Sequence, residues 1–373
     1  MEKKFVYADY AATAPVSGEV LKSMLPYFTE SFGNPSGVHR ASRTAAKAVA
    51  EARRKIAASI GADYSEIYFT SGGTEADNWA IKCVSGGVVT TNAEHKAILN
   101  SCKNRGNVKY IPVDSEGVIT AKQVETAIDS ETELVSVIYA NNEIGTVMPI
   151  EEIAEVCRAK GVLFHSDAVQ AIGNIPIDVR KMKLDMLSCS GHKIGAPKGI
   201  GFLYVRKGTA IAQFIHGGNQ EFGLRAGTEN VPAIVGLGEA VKIACENVEA
   251  NSEYVRRLRD RLIDGLMKIP DTRLNGSREN RLCGNVNVSF ADVESEAVLL
   301  TLDSAGICAS GGSACTSGEN EPSHVLTAIG ADPKYISGTV RFTLSYMNTV
   351  EEVDYIIEKT AETVEKLRKI RRG

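Results

Sequence analysis

From about Ser17 to Cys245, short apolar runs alternate with longer amphipathic ones, and this rhythm restricts the fold more than any other feature of the chain. "EIYFT" (66–70), "ELVSVIYA" (133–140), "VLFHSD" (162–167), "DMLSCS" (185–190) and "GFLYV" (201–205) read as strands. Helical patterns fall between them, as in the stretch after Thr74 and in "IEEIAEVCRAKG" (150–161). Apolar strands separated by helices predict an α/β fold with a mostly parallel sheet covered on both faces.

A helical stretch from about Val231 to Met267 carries the chain toward a second unit, where "NVNVSF" (285–290) and "TVRFTLS" (339–345) read as strands. In the latter, Val340, Phe342 and Leu344 share one side, which predicts a sheet with one solvated face. A closing helix is expected over 350–371. The chain is therefore expected to form a large domain over 13–250 and a smaller α+β domain from 1–12 and 251–373.

Composition removes several classes of function. With 373 residues, 43% hydrophobic and 24% charged, the chain has material for a large core. A net charge of −4 offers no footprint for nucleic acid. No apolar run reaches the roughly 18 residues of a membrane span, and the first residues lack the apolar centre of a signal peptide. A cytoplasmic location is expected, with no nucleic-acid or membrane partner. Eight cysteines without a C-x-x-C pair argue against a disulfide framework and against a metal site. Seven of them lie in or beside helix-like or strand-like segments, where free thiols are common. Cys315 differs, because "SGGSACTSGENEP" (310–322) offers it nothing to pack against.

Ligands of open α/β sheets sit beyond the C-terminal ends of the strands, so the residues that follow each strand are the informative ones. After "EIYFT" comes "SGGTEADN", small residues running into a helix start where free N–H groups and the helix dipole suit a phosphate. Gly73 and Thr74 stand at that point. The pattern is neither G-x-G-x-x-G nor a P-loop. After "VLFHS" comes Asp167, an acid that needs a positive partner if buried. After "DMLSCS" come Gly191, His192 and Lys193. A lysine at a rigid strand end suits Schiff-base chemistry, because desolvation favours the free amine. Lys198 is its rival. Each feature alone has an ordinary structural reading. Together they are the parts needed for pyridoxal phosphate: a phosphate cradle, a partner for the pyridine nitrogen and an amine for the aldehyde.

The segments "YADYAATAP", "FGNPS", "SGGTEADN", "EHKA", "NNEIG", "HSDAVQ", "SGHKIGAPKGIG", "HGGNQEFGLRAGT", "SGGSACTSGENEPSHVL" and "VRFTLS" carry a resemblance over nearly the whole chain. The sequence resembles cysteine desulfurases of the NifS/IscS type, in the class V aminotransferase superfamily of pyridoxal-phosphate fold-type I. That resemblance implies a seven-stranded-type sheet in the large domain, and L-cysteine as substrate. It implies Lys193 as the Schiff-base lysine and Asp167 on the pyridine nitrogen. Gly73, Thr74, Ser190 and His192 would hold the phosphate, and Gln170 and Asn142 the ring-hydroxyl side. His95 would stack on the ring and move protons. Arg341 would clamp the substrate carboxylate, with Asn142 beside it. Thr228 would reach the phosphate of the neighbouring subunit in a homodimer. Cys315 would accept the sulfur, on a stretch that Gly311, Gly312 and Gly318 leave free to move. The persulfide would pass to an iron–sulfur scaffold or a tRNA-thiolation enzyme. A selenocysteine lyase, a C–S lyase or a low-turnover sulfur-relay partner are the alternatives on the same fold. Two departures stand out: Gly195-Ala196 where the family usually carries Tyr-Gly, and Tyr346-Met347 where Arg-Phe is common.

Overall fold

The computed structural model describes residues 4–311 and 322–372. Seven strands form the large sheet: β1 (Ile67–Thr70), β2 (Gly87–Thr91), β3 (Val108–Ile111), β4 (Thr132–Ser136), β5 (Leu163–Asp167), β6 (Met186–Ser190) and β7 (Gly201–Val205). Their order across the sheet is β1-β7-β6-β5-β4-β2-β3. β7 runs antiparallel to both its neighbours, and the other pairings are parallel. β2, β6 and β7 are buried at every position. Strands covered on both faces need not alternate, and none of the three does.

Local rules set the helix ends. Helix Ile150–Lys160 carries Glu151 and Glu152 in its first turn, Arg158 and Lys160 in its last, and stops at Gly161 with φ of 71°. The expected strand over 133–140 ends early, at Ser136. Beyond it, Ala140 forms an isolated bridge to Val147 and turns the chain into the site. The expected long helix is two, Val231–Glu246 and Val248–Leu266, meeting at Asn247. Asn247 leaves the helical region and returns its side-chain amide to the Ile243 carbonyl at 2.8 Å.

A separate core gathers Val6 and Ala8 with apolar residues between Val255 and Val364. Here β8 (Thr272–Leu274), β9 (Asn285–Phe290), β10 (Ser310–Gly311) and β11 (Thr339–Thr343) form a sheet in the order β10-β11-β9-β8. Helix Val350–Arg372 closes the chain. Gly311, expected to be free, pairs with Val340 in this sheet.

One expectation fails instructively. β11 has no solvated face: Thr339, Arg341 and Thr343 are as buried as Val340 and Phe342. The alternation was real, but its polar side turns toward a second set of protein groups and not toward water. Thr343 accepts the Ala11 amide on its hydroxyl at 2.8 Å, and Arg341 reaches the loop after β4.

Candidate active site

A cavity of about 600 Å³ opens at the C-terminal ends of β1, β5 and β6. At its floor, β1 leads through Gly72 into helix Gly73–Lys82. Gly72 has φ of 153° and ψ of −175°, a region essentially restricted to glycine. As the residue before the helix it brings no side-chain cap, so the first helical N–H groups stay available to an anion. A Cβ on Gly73 would come within 2.7 Å of Val169, and one on Gly72 would reach toward the Ser190 hydroxyl. Ser190, at the end of β6, is 6% exposed and borders the same space, as does His192. Burial, then Lys193 and Lys198, push the His192 imidazole down to about 4, so it is neutral. Its Nδ1 meets the Thr13 hydroxyl at 3.2 Å.

Asp167 ends β5 and is 3% exposed. Its Oδ1 accepts from the Val169 amide at 2.9 Å. Burial raises its pKa, while His95 and Lys193 oppose that rise. Beneath it, Asp77 on helix Gly73–Lys82 is raised well above the carboxylate range, first by burial and then by Asp167. Of the two carboxyls, Asp77 is the one pushed further above its ordinary range. Asp167, whose rise His95 and Lys193 oppose, is the one suited to hold a protonated ligand atom. Polar atoms of Asp77, His95 and Asp167 lie within 4.8 Å of one another. His165, two residues before Asp167, is held between Ser136 and Ser188 hydroxyls, each at 2.9 Å, and burial pushes it down to about 3. Its 3.8 Å contact with Asp77 is thus not an ion pair.

Lys193 follows β6 on a single 3-10 turn. Its ammonium donates to the Ala11 and Ala12 carbonyls at 2.5 and 2.8 Å. Lys198 is exposed at the rim. Gln170 donates to the Ala11 carbonyl at 3.0 Å. His95 caps helix Lys96–Cys102, its Nδ1 accepting the Ala97 amide at 3.1 Å. With Nδ1 accepting, a ring proton sits on Nε2.

Arg341 enters from β11 and is 1% exposed. Nη1 donates to the Asn142 carbonyl at 2.8 Å and Nη2 to Asp9 at 3.0 Å. Nε has no partner among the described residues. Asn142 itself lines the cavity. Glu143 is buried too, its carboxyl raised to about 7 by burial. Asp9, Glu143, Ala11 and Ala12 were not selected from the sequence as site residues. The signal available for the first two was an acid inside an apolar-to-small segment, "YADYAA" and "NNEIG", with no basic neighbour in sequence. Among the expected residues, Gly73, Thr74, His95, Asn142, Asp167, Gln170, Ser190, His192, Lys193 and Arg341 border one cavity. Thr228 does not: it is exposed and stands apart. Cys315, with Gly312 and Gly318, lies outside the described residues.

The aminotransferase class-V family model matches residues 6–356. The chain belongs to this family. It is 50% identical to "Cysteine desulfurase IscS" of Methanosarcina thermophila over 98% of this chain and 94% of that protein. It is 47% identical to "Cysteine desulfurase IscS" of Clostridium botulinum over 98% of this chain and 96% of that protein. Among solved structures, a "NifS-like protein" superposes with a TM-score of 0.91 at 38% identity, covering 97% of this chain and all of the other.

Within this class-V aminotransferase, the two departures noted in the sequence fall together. Gly195 and Tyr346-Met347 border a second cavity of about 570 Å³, on the far side of Lys193 and Gln170. Gly195 has φ of 82°, and a Cβ there would meet nothing closer than 3.6 Å. Tyr346 and Met347 are each 55% exposed at the cavity rim. Among the described residues no helix is long and apolar enough to cross a membrane.

Proposed function

We propose that this class-V aminotransferase is a pyridoxal-phosphate-dependent cysteine desulfurase, which takes sulfur from L-cysteine onto Cys315 and releases L-alanine. One observation carries the reading: Lys193, Asp167 and His95 converge on a single cavity in a chain half identical to a named cysteine desulfurase.

The residues fit the cofactor. The uncapped helix start at Gly73 and Thr74, with Ser190 and His192, forms a cradle for a phosphate. Asp167 supplies a buried carboxylate for a protonated ring nitrogen. Gln170 and Asn142 stand for the ring-hydroxyl side, and His95 for the ring face. When bound, pyridoxal phosphate supplies an aldehyde that condenses with amines and a ring that accepts carbanion charge.

The chain's own groups do the rest. Arg341 receives the substrate carboxylate, with its Nε and the fork geometry of a guanidinium. Lys193, held beside the Ala11 and Ala12 carbonyls, takes and returns the proton at the substrate α-carbon, with His95 as relay. The Cys315 thiolate attacks the substrate sulfur. An S–S bond forms, the C–S bond breaks, and its electron pair stays with the three-carbon fragment, which gains a proton and leaves as L-alanine. Cys315 keeps the persulfide for an iron–sulfur scaffold or a tRNA-thiolation enzyme in the cytoplasm.

The working unit is a homodimer in which Thr228 serves the partner's phosphate cradle. Its exposure fits that role. So does a run of exposed apolar side chains, Leu21, Leu25, Phe28, Phe32 and Val38, between 48% and 88% exposed.

Alanine and persulfide production from L-cysteine, with a reductant, tests the reading in wild type and Cys315→Ala. Wild type is expected to make both. The variant is expected to change the cofactor spectrum without releasing alanine. Alanine released by the variant at the wild-type rate would favour a lyase that eliminates sulfur directly.

A further inference from the structure

The helix that opens the phosphate cradle carries an acid where a bound phosphate tolerates one badly. Glu75 is the third residue of helix Gly73–Lys82 and lines the same cavity as Gly73 and Thr74. At an empty helix start such an acid is an ordinary choice, because it offsets the dipole. Beside a phosphate the same carboxylate adds repulsion between like charges. Glu75 Oε2 also accepts the Ser71 amide at 2.7 Å, which closes the turn ahead of the helix. Arg225 meets this carboxylate with two nitrogens: Nε donates to Oε1 at 2.8 Å and Nη2 to Oε2 at 3.1 Å. The two side chains are only 21% and 10% exposed, so water and salt screen the pair little. Burial works to raise the Glu75 carboxyl, and the Arg225 and Ser71 hydrogen bonds outweigh it and hold it below the usual carboxylate range.

Arg225 is itself held from several sides. The Phe214 amide donates to the Leu224 carbonyl at 2.8 Å, and the Ala226 amide to the Ile215 carbonyl at 3.0 Å, one on each side of Arg225. Four residues earlier, Glu221 and Phe222 take φ of 47° and 58°, a region uncommon for residues other than glycine. A buried contact secures that turn. Arg53 donates to the two Glu221 oxygens at 2.7 and 2.8 Å, and the Phe69 amide of β1 donates to Glu221 Oε2 at 2.8 Å. The Arg53 guanidinium lies 4.5 Å from the centre of the Phe69 ring and 5.0 Å from that of Phe222. The stretch that carries Arg225 is thus fastened twice to the strand and helix that build the cradle, through Glu221 to β1 and through Arg225 to Glu75. An incidental surface pair has no such support.

We propose that Arg225 is a positioning residue for the cofactor phosphate, which cancels the Glu75 charge at the cradle and leaves the helix start free to take an anion. Arg225 does not line the cavity and acts through Glu75. Glu75 serves the turn by holding the Ser71 amide and opposes the phosphate by its charge. Arg225 preserves the first effect and removes the second. The inference rests on the functional reading above, in which this cavity holds pyridoxal phosphate.

The test compares wild type, Arg225→Gln, Glu75→Gln and the double variant, each as the full chain. Each is loaded with pyridoxal phosphate or with pyridoxal, which lacks the phosphate, and then diluted. The dissociation constant is read from the Schiff-base absorption. Arg225→Gln bares the Glu75 charge. It is expected to weaken pyridoxal phosphate about tenfold or more and pyridoxal less than about threefold. Glu75→Gln keeps an acceptor for the Ser71 amide and loses the charge. Alone or combined with Arg225→Gln, it should hold pyridoxal phosphate within about threefold of wild type, or tighter. A double variant as weak as Arg225→Gln, or an Arg225→Gln variant that weakens both ligands equally, would make the pair a brace and overturn the proposal. So would wild-type affinity in Arg225→Gln. If Arg225→Gln fails to fold, Glu75→Gln decides: weakening of pyridoxal phosphate beyond threefold overturns the proposal, and a smaller change or a tightening supports it. A wild type that takes up no pyridoxal phosphate would overturn the functional reading and the proposal with it, whereas every other failure leaves that reading standing.

Discussion

Asp167 and Arg341 are buried to nearly the same depth, 3% and 1% exposed, yet they reach the site by opposite routes. Asp167 stands at the C-terminal end of a parallel strand, and a backbone N–H two residues on meets its carboxylate. Its place follows from strand register. Arg341 stands in the middle of a strand, on a sheet face, and its nitrogens are met by groups 332 and 199 residues away. Its place follows from a network. The first kind of residue survives changes among its neighbours, whereas the second depends on them.

Removing the strand-end groups should have the largest effects. Lys193→Ala is expected to lose both the yellow colour of the holoprotein and turnover, the latter by about 10²–10⁴-fold or more. A coloured, active variant would return the role to Lys198. Asp167→Asn keeps the shape but not the charge. It should lower kcat about a hundredfold or more, with a folded protein of near-normal melting temperature. An unchanged kcat would remove Asp167 from the chemistry. Arg341→Lys tests the network side of the comparison. It loses the guanidinium fork, so KM for L-cysteine should rise about 10–150-fold while kcat changes much less. An equal fall in kcat would mean that Arg341 acts in the transition state alone.

A smaller effect concerns stability. Burial pushes Glu94 from 4.5 up to about 8, although Thr91 and the Ile138 amide donate to it. The folded state therefore binds a proton that the unfolded state releases. The stability this contributes is complete below about pH 4.5 and is lost as pH rises through about 8. Glu94→Gln should remove a downward slope of up to about 1.4 kcal/mol per pH unit across that window. Denaturant titrations at several pH values would check it, and an unchanged slope would assign the pH dependence elsewhere. Smallest of all, Ser136→Ala removes one of the two hydroxyls that hold His165. It should cost about 1 kcal/mol and leave KM untouched.

Much of the large sheet was legible. β1, β5, β6 and β7 were readable because each opens on a short apolar run between helical patterns, and a strand covered on both faces need not alternate. β2 and β3 were not singled out, since "GVVTT" and "VKYI" are short and mixed. The end of β4 was misplaced because apolar residues continue to Ala140 after the pairing stops. The break at Asn247 was invisible for a different reason: the apolar pattern runs on through it, and a single asparagine side chain decides the bend. The site divides in the same way. Lys193 and Asp167 could be found because strand ends are where ligands sit. Asp9 and Glu143 could not, because the side chains they meet lie 301 and 180 residues away.

Local sequence thus determined where most of the large sheet's strands would form and which strand ends carry Gly73, Asp167 and Lys193. These follow from periodicity, helix signals and the chemistry of single residues, all of which act over a few positions. Tertiary structure alone decided that the polar face of β11 is buried, that Arg341 meets Asp9, and that burial beside Asp167 pushes the Asp77 carboxyl up. Those outcomes depend on desolvation and on which charges come within hydrogen-bond reach, and no short stretch of chain contains either.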